Sequence, residues 1–359
     1  MTPAKFQFSA WFLGFLLLYD GIRASFAQLN SNAKNYVTWD DMKVDDYRLH
    51  VRDEGNWSKV IVVDKNGWGN SLTVQGAVDM VPENNADRVR IYILPGVYSE
   101  KVYIPASKPY ISFIGDQNRV SETVITWHDK ASDRDKNGAL LGTFNSATAT
   151  IESDYFVATG ITFENTVCAV PGGVDGYQAV ALRIAGDKAM FYNVKFLGSQ
   201  DTLLDQTGSH YFYQCFIQGS TDFIFGNAKS LYQECTLHVL EDGYAVAAQH
   251  RNSPDDDTGF SFLNCTVKGK GRTFLGRAWG DYSRVIYSYC EFDAIVRPEG
   301  WNDWRKQYRD NTVVFGEYEC RGHGADRRRR VPWSKALNYM EAKPFLGTQF
   351  IGGEQWLRL

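Results

Sequence analysis

The chain has 359 residues, of which 44% are hydrophobic and 14% aromatic, and its 38 basic and 42 acidic residues give a formal net charge of −4. This composition is typical of a globular protein with a large core and excludes a disordered chain. The charges are mixed along the sequence, which excludes the broad basic surface of a nucleic-acid-binding protein, so any polyanion site must be local.

The N-terminus predicts a secretory signal peptide over residues 1–27. Lys5 precedes an apolar run that Asp20 and Arg23 close after about ten residues, too few to span a bilayer, and small residues lead to a cleavage site after Ala27. A single membrane anchor is the alternative. We expect a secreted, extracellular protein without a membrane segment once the signal is removed. We expect residues 28–60 to form an N-terminal extension and residues 61–359 to form one domain.

The first half of that domain contains strand-like runs and one short helix. The runs are "KVIVVD", "VRIYILPGVY" and "EKVYIP". After the first run, "SLTVQGAVDMV" places Val74, Val78 and Val81 on one helical face, and Pro82 ends the helix.

From about residue 150 the chain repeats a pattern in which an aromatic or aliphatic run meets Asn or Cys and then a second strand-like run. Examples are "YFVATGITFENT", "SHYFYQCFIQGS" and "GFSFLNCTVKGK", and successive copies lie roughly 20 to 30 residues apart, which is typical of a solenoid. We therefore predict an all-β protein, a parallel β-helix. The short helix is expected to cap its open end, and the tail from about residue 333 is expected to cover another part.

Two aspartates lie in unusually apolar segments of the repeat. Asp201 follows Gln200 in "GSQDTL", and Asp222 opens "DFIFG"; Gln178 lies 23 residues before Asp201, and Asp222 lies 21 after it. Both intervals match the repeat, and adjacent coils are about 4.8 Å apart, so these residues are predicted to form a column of amides and carboxylates. Two carboxylates this close cannot both ionise cheaply, so one would act as an acid and the other as a base or nucleophile.

Four further side chains complete this candidate site. Gln178 and Gln200 offer uncharged N–H donors for an oxyanion, Arg277 of "LGRAWG" can hold one carboxylate ionised, and Trp279 can stack on a sugar ring. Considered alone, several residues of the candidate site have a simpler structural interpretation. Asp201 can be a turn residue, Arg277 a salt-bridge residue and Trp279 part of the core packing. The shared spacing favours a site. The chain has no GxSxG motif, so a Ser-His-Asp esterase is not supported.

The cysteines and sequons fit an exported protein. The cysteines show no CxxC and no Cys/His cluster at zinc spacing, so we expect no metal and no cofactor. Cys235 and Cys265 occupy equivalent places in "LYQECTL" and "FLNCTV", about 5 Å apart if the coils stack, which leaves a disulfide and a ladder of free thiols both open. N-x-S/T sequons at Asn56 and Asn264 predict glycosylation, although the second lies in a strand-like run.

With these residues identified, the chain resembles the plant pectinesterases, that is, pectin methylesterases. The resemblance rests on "GVYSEKV", "TFNSAT", "QAVALR", "GSQDTL", "DFIFGNA" and "LGRAWG", which occur in family order, and it covers nearly all of the mature chain. It implies a right-handed parallel β-helix that hydrolyses pectin methyl esters to galacturonate and methanol in the cell wall. The chain is similar to the form that lacks the N-terminal inhibitor-like pro-region of many members.

The resemblance also implies roles for individual residues. Asp222 is expected as the nucleophile and Asp201 as the acid and base. Gln178 and Gln200 are expected as the oxyanion donors, and Arg277 is expected as the partner of the nucleophile. Thr143 and Trp279 are expected as substrate contacts, together with Gln178 and Arg277. The family often has a disulfide at the pair matching Cys235 and Cys265. Pectin is the expected partner of a monomeric enzyme, together with a proteinaceous inhibitor.

Departures from the family pattern leave the reaction intact and put the subsite preference in doubt. They are Leu204, His210 within "SHYFY", and Thr221, all expected to flank the cleft. The rival functions are a β-helix glycosidase, a calcium-dependent lyase using "PDDDTG" (254–259), and a silent polysaccharide-binding protein. We interpret both that acidic run and the basic run "DRRRRVP" (326–332) as solvated loops.

Overall fold

The structure, a computed structural model, describes residues 36–49, 59–168, 170 and 173–359. The predicted signal peptide and the Asn56 sequon lie outside the described residues. Three long parallel sheets dominate the described chain, and each turn of the solenoid adds one strand to each sheet. This arrangement confirms the predicted parallel β-helix. Among the described residues, no helix is both long and apolar enough to cross a membrane.

We name the sheets in the order in which a coil visits them. Sheet A has eight strands: Gly96–Ser99, Thr123–Trp127, Thr162–Asn165, Lys195–Leu197, Phe216–Gly219, Thr236–Val239, Thr266–Gly269 and Glu291–Phe292. Sheet B also has eight: Val102–Ile104, Ala149–Ile151, Leu182–Ile184, Leu203–Asp205, Ile224–Gly226, Ala245–Gln249, Phe274–Ala278 and Trp301–Asn302. Sheet C has eleven: Val60–Val63, Val89–Ile93, Ile111–Ile114, Val157–Thr159, Ala189–Tyr192, Ser209–Tyr213, Lys229–Gln233, Gly259–Leu263, Arg284–Ser288, Val314–Tyr318 and Lys335–Ala336.

Helical segments are few and short. The α-helices are Val74–Met80, Gly142–Asn145 and Tyr339–Ala342. The 3₁₀ turns are Trp39–Met42, Tyr47–Leu49, Gln307–Asn311, His323–Ala325, Arg327–Arg329, Lys343–Phe345, Thr348–Ile351 and Gly353–Gln355. A separate pair of strands, Val37–Thr38 and Leu357–Arg358, joins the two ends of the described chain.

The core is a stack of equivalent side chains from successive coils. In sheet C the rings of Phe191, Phe212, Tyr232, Phe262 and Tyr287 form one column, with centroids 4.8, 4.5, 4.7 and 4.4 Å apart in turn. Each spacing is close to the distance between neighbouring strands, so parallel pairing and aromatic stacking favour the same register. The aromatic residues of the sequence repeat therefore form this column.

The predicted capping helix is confirmed at the N-terminal end of the stack. Thr73 caps it by accepting the N–H of Gly76 at 3.0 Å, and its buried face packs on the first strands of sheets B and C. Val74 and Val78 are fully buried on this face, as predicted, and Val81 is buried directly after the last helical residue, Met80.

The C-terminal tail covers the outer face of sheet C. Phe350 and Trp356 bury their rings there against Met190 and Leu231. The basic run before the tail is not a fully solvated loop, because Arg330 is buried and its Nε and Nη2 bind the carboxylate of Glu317 at 2.9 and 3.1 Å. Our interpretation of that run was therefore wrong at Arg330, whose charge a buried acid neutralises.

The structure corrects the predicted disulfide, because Cys235 and Cys265 are both free thiols. The residue before each of the core cysteines occupies the corner from sheet C to sheet A with φ between 48° and 55°. This corner directs the thiol into the core, where Cys235 donates to the carbonyl of Phe212 at 3.5 Å and Cys265 to that of Tyr232 at 3.3 Å. The thiols thus pack as small apolar residues with a backbone acceptor.

Candidate active site

Asp201 and Asp222 occupy the same position on adjacent coils, at the corner between sheets A and B. Asp201 has a φ of 63° and Asp222 a φ of 48°, a left-handed conformation that aspartate tolerates better than most residues. The N–H of Asp201 donates to the carbonyl of Thr221 at 3.0 Å, and the N–H of Asp222 donates to that of Ala245 at 2.7 Å. The repeat interval of 21 residues therefore stacks the two carboxyl groups, as the spacing predicted.

Arg277 clamps Asp222. Its Nε lies 2.7 and 2.8 Å from the two carboxylate oxygens, and Nη2 also donates to Oδ2. The guanidinium carbon lies 3.6 Å from the ring centroid of Trp304 and 4.4 Å from that of Tyr244. Because the two aromatic rings restrict the guanidinium, the ion pair has a single geometry.

The contact with Arg277 makes the pKa of Asp222 differ from that of Asp201. Asp201 is 8% exposed and Asp222 is 5% exposed, so both lose hydration. Burial raises the pKa of Asp201 well above its ordinary value, and the neighbouring charge of Asp222 raises it further. Burial also raises the pKa of Asp222, but the ion pair and hydrogen bonds with Arg277 oppose that rise. Asp222 is therefore the member of the pair that ionises more readily, and Asp201 is the member that holds its proton more strongly.

The two glutamines take their orientation from one loop. Gln200 is 6% exposed, and its Oε1 accepts the N–H of Val174 at 3.0 Å, so its remaining polar group is the NH₂ donor. Gln178 accepts the N–H of Gly176 at 2.8 Å and donates from Nε2 to Asp175 at 3.1 Å. The loop from residue 173 to 178 thus fixes which end of each amide is an acceptor.

Gln178 differs in one respect from the prediction. The sheet register aligns Leu182 with Leu203, so the residue equivalent to Asp201 is Val180 rather than Gln178. Gln178 reaches the site from the loop, two residues before the strand position that the repeat interval indicated. The interval of 23 residues between Gln178 and Asp201 is therefore two residues longer than the interval of 21 between Asp201 and Asp222.

A cleft of about 470 Å³ is lined by all seven residues that the sequence predicted for catalysis and substrate binding. The predicted residues among its lining are Thr143, Gln178, Gln200, Asp201, Asp222, Arg277 and Trp279. Those that sequence reasoning missed include Phe144, Val174, Asp175, Phe225, Tyr244, Ala248 and Trp304. Strand alternation from Asp222 predicts that Phe225 faces inward, but Phe223 and Ile224 both enter the core, so Phe225 faces the cleft and the pattern does not reveal it. The loop residues Tyr244 and Trp304 carried no periodic signal.

The three departures from the family pattern do not share one location. Thr221 lines the cleft, and Leu204 packs with Phe225 beneath it. His210 is fully buried inside the solenoid, where Nδ1 lies 2.5 Å from Asp205 and Nε2 lies 2.7 Å from the carbonyl of Gly186. The expectation that His210 flanks the cleft was therefore wrong, because its strand turns this side chain inward.

Other candidate residues lie away from the cleft. Asn264 is exposed at a corner with φ 52°, so the sequon is not buried in a strand. Asp257 of the acidic run binds Lys229 at 2.5 Å, and Asp256 accepts the N–H of Ser253 at 3.2 Å. Within the described ranges, no three His, Cys, Asp or Glu side chains are grouped to hold a metal ion.

Comparisons with known proteins agree with this geometry. A family model described as Pectinesterase matches residues 60–354. The chain is 57% identical to Pectinesterase QRT1 of Arabidopsis thaliana over 350 residues, 92% of each chain. It matches the structure of pectin methylesterase from carrot with a TM-score of 0.75 and 35% identity, over 82% of this chain and 94% of that one. For pectin methylesterase from Aspergillus niger the values are 0.71 and 26%, over 84% and 97%. The chain belongs to the pectinesterase family.

Proposed function

We propose that this protein hydrolyses the methyl esters of pectin, leaving galacturonate carboxylates and releasing methanol. The observation that carries the proposal is the asymmetric carboxyl pair. Arg277 favours the ionised form of Asp222, burial beside that charge favours the protonated form of Asp201, and both line one cleft with two glutamine amides. Two-step acyl transfer of this kind requires an ionised carboxyl group as the nucleophile and a protonated one as the acid, both in contact with the same substrate.

In the first step, a carboxylate oxygen of Asp222 attacks the ester carbonyl carbon. The carbonyl oxygen gains negative charge, which N–H donors of Gln178 and Gln200 stabilise; Gln178 has a second amide hydrogen besides the one that Asp175 accepts. The bond to the methoxy oxygen then breaks, and Asp201 gives its proton to the departing methanol. The product is an acyl-enzyme in which Asp222 carries the galacturonyl group.

In the second step, the roles reverse. Asp201, now a carboxylate, accepts a proton from water while the water oxygen attacks the acyl carbon. The bond to Asp222 breaks, its carboxylate returns to Arg277, and Asp201 is protonated for the next cycle. Trp279, whose ring packs against those of Phe225 and His250, offers an indole face to the sugar, and Thr143, which also lines the cleft, contacts substrate.

One assay separates this function from its rivals. Purified protein is incubated with highly methylated pectin, and methanol, new reducing ends and unsaturated ends are measured together. We expect methanol alone. New reducing ends would indicate a glycosidase, unsaturated ends a lyase, and no product a silent binding protein, and each of these would contradict the proposal.

The proposal also covers where the protein acts and what it binds. We place the protein outside the cell, in the wall, acting as a monomer on pectin and subject to a proteinaceous inhibitor. The signal-like N-terminus and the family relationship support this location. Fractionation of plant tissue that expresses the tagged full chain tests the location, and light scattering of the purified protein tests the monomer.

A further inference from the structure

The negative charges of the side chains that line the cleft outnumber the positive ones. Among the described lining residues, the acidic and basic side chains are Asp175, Asp201, Asp222 and Arg277. Arg277 neutralises Asp222, and burial raises the pKa of the Asp201 carboxyl group, so the exposed Asp175 contributes the uncompensated negative charge. Asp175 belongs to no ion pair among the described residues, and its Oδ1 accepts from the uncharged Nε2 of Gln178.

Pectin presents this cleft with two kinds of sugar that differ in charge. A methyl-esterified galacturonate is neutral, whereas a de-esterified one carries a carboxylate. An uncompensated aspartate in a cleft lowers the local concentration of anions and leaves neutral groups unaffected. The loop that carries Asp175 is held in place, because Val174 and Gly176 on either side donate to the two catalytic amides.

We propose that Asp175 is a specificity-determining residue that makes the cleft select methyl-esterified over free galacturonate through charge repulsion. Asp175 is exposed to solvent, and the hydrogen bond from Gln178 holds its carboxylate at the cleft wall. The selection works on the neighbours of the reacting sugar as well as on the product, whose new carboxylate is repelled after each turnover. This inference rests on the proposed pectin hydrolysis and adds a preference among its substrates.

The substitution Asp175→Asn isolates the charge. Asparagine keeps an oxygen at the position of Oδ1, so Gln178 can still donate to it, and only the negative charge is lost. Asp255→Asn is the matched control, since Asp255 is exposed and does not line the cleft. Both variants lose one negative charge, so any effect of net charge on a polyanionic ligand appears equally in both.

Two measurements are made on the wild type and on each variant: inhibition of methanol release by polygalacturonate, and binding of polygalacturonate followed by tryptophan fluorescence. We expect Asp175→Asn to bind polygalacturonate about fivefold more tightly, the equivalent of roughly 1 kcal/mol of repulsion at a partly exposed site. The gain in affinity should shrink at high salt, because salt screens the repulsion.

Equal affinities for the wild type and Asp175→Asn would overturn the inference, as would the same gain in Asp255→Asn. Failure of the proposed function would give a different experimental result from failure of this inference. If the wild type releases no methanol, the hydrolysis is wrong, while the fluorescence comparison still shows whether Asp175 repels free galacturonate.

Discussion

Arg277 determines which of the two buried carboxyl groups is the nucleophile, so replacing it should move the pH dependence of the reaction. The guanidinium binds both oxygens of Asp222 and is the group that keeps the pKa of this buried carboxyl from rising further. An adjacent arginine typically lowers a carboxyl pKa by about 1 to 3. Without it, burial and the neighbouring Asp201 remain, so the pKa of Asp222 in Arg277→Met should rise by a comparable amount.

The sign of the effect follows from the role of Asp222. The nucleophile acts only when it is ionised, so a higher pKa moves the acid limb of the kcat/KM profile to higher pH. If the limb moves by about one pH unit, the rate at a fixed pH on that limb falls about tenfold. Arg277→Lys keeps the charge but loses the two-point contact with the carboxylate, so its acid limb should lie between those of the wild type and Arg277→Met.

The assay is methanol release from pectin between about pH 4 and pH 9, a range that begins near the ordinary carboxyl pKa and extends well above it. Arg119→Met is the matched control, since Arg119 pairs with Asp116 at 2.8 Å on the exposed surface. Thermal unfolding of each variant shows that it is folded. An acid limb that stays in place in Arg277→Met would refute the reasoning, because Asp222 would then depend on some other group for its ionisation.

Three further predictions concern the buried polar groups and cofactors. Burial lowers the pKa of His210, but Asp205 outweighs burial and raises it, so the pair should stabilise the fold fully below about pH 6.5, the ordinary His value, and lose this stabilisation as pH rises through the folded pKa. His210→Gln should therefore lower the free energy of unfolding by about 3 to 5 kcal/mol at low pH and by less at high pH in urea titrations; an equal loss at every pH would contradict the pairing. Peptide mapping without reduction should recover Cys235 and Cys265 as free thiols, and recovery as a linked peptide would contradict the thiol ladder. Dialysis against a chelator should leave methanol release unchanged, because a side chain fills every catalytic role, and a loss that calcium restores would contradict the metal-free mechanism.

The sequence predicted the parts of this molecule that depend on the repeat. A solenoid places residues one repeat apart into contact, so the spacing of Asp201 and Asp222 was sufficient to predict their stacking. The apolar face of the capping helix was similarly visible, since Val74 and Val78 have helical spacing and Pro82 limits the helix.

The remaining features depend on side-chain directions and on loops that break the repeat. His210 lies in the same strand-like pattern as its neighbours, and whether it faces the cleft or the core depends on a register that one residue would reverse. Arg330 is one of several consecutive arginines, and the sequence does not indicate that Arg330 and Arg327 are the two that reach Glu317. Trp304 comes from an irregular loop after sheet B, so its contact with Arg277 had no periodic signal.

The central claim is that Asp222 is the nucleophile and Asp201 the acid and base, and it is tested most directly by replacing each with asparagine and measuring methanol release from highly methylated pectin. Asparagine keeps the shape of each side chain, so thermal unfolding should still show a folded protein. We predict that Asp222→Asn releases no detectable methanol and that Asp201→Asn falls below a tenth of the wild-type rate, a barrier increase of more than ~1.4 kcal/mol. If either folded variant keeps more than about a tenth of the wild-type rate, a change below ~1.4 kcal/mol, the two-carboxylate mechanism is contradicted.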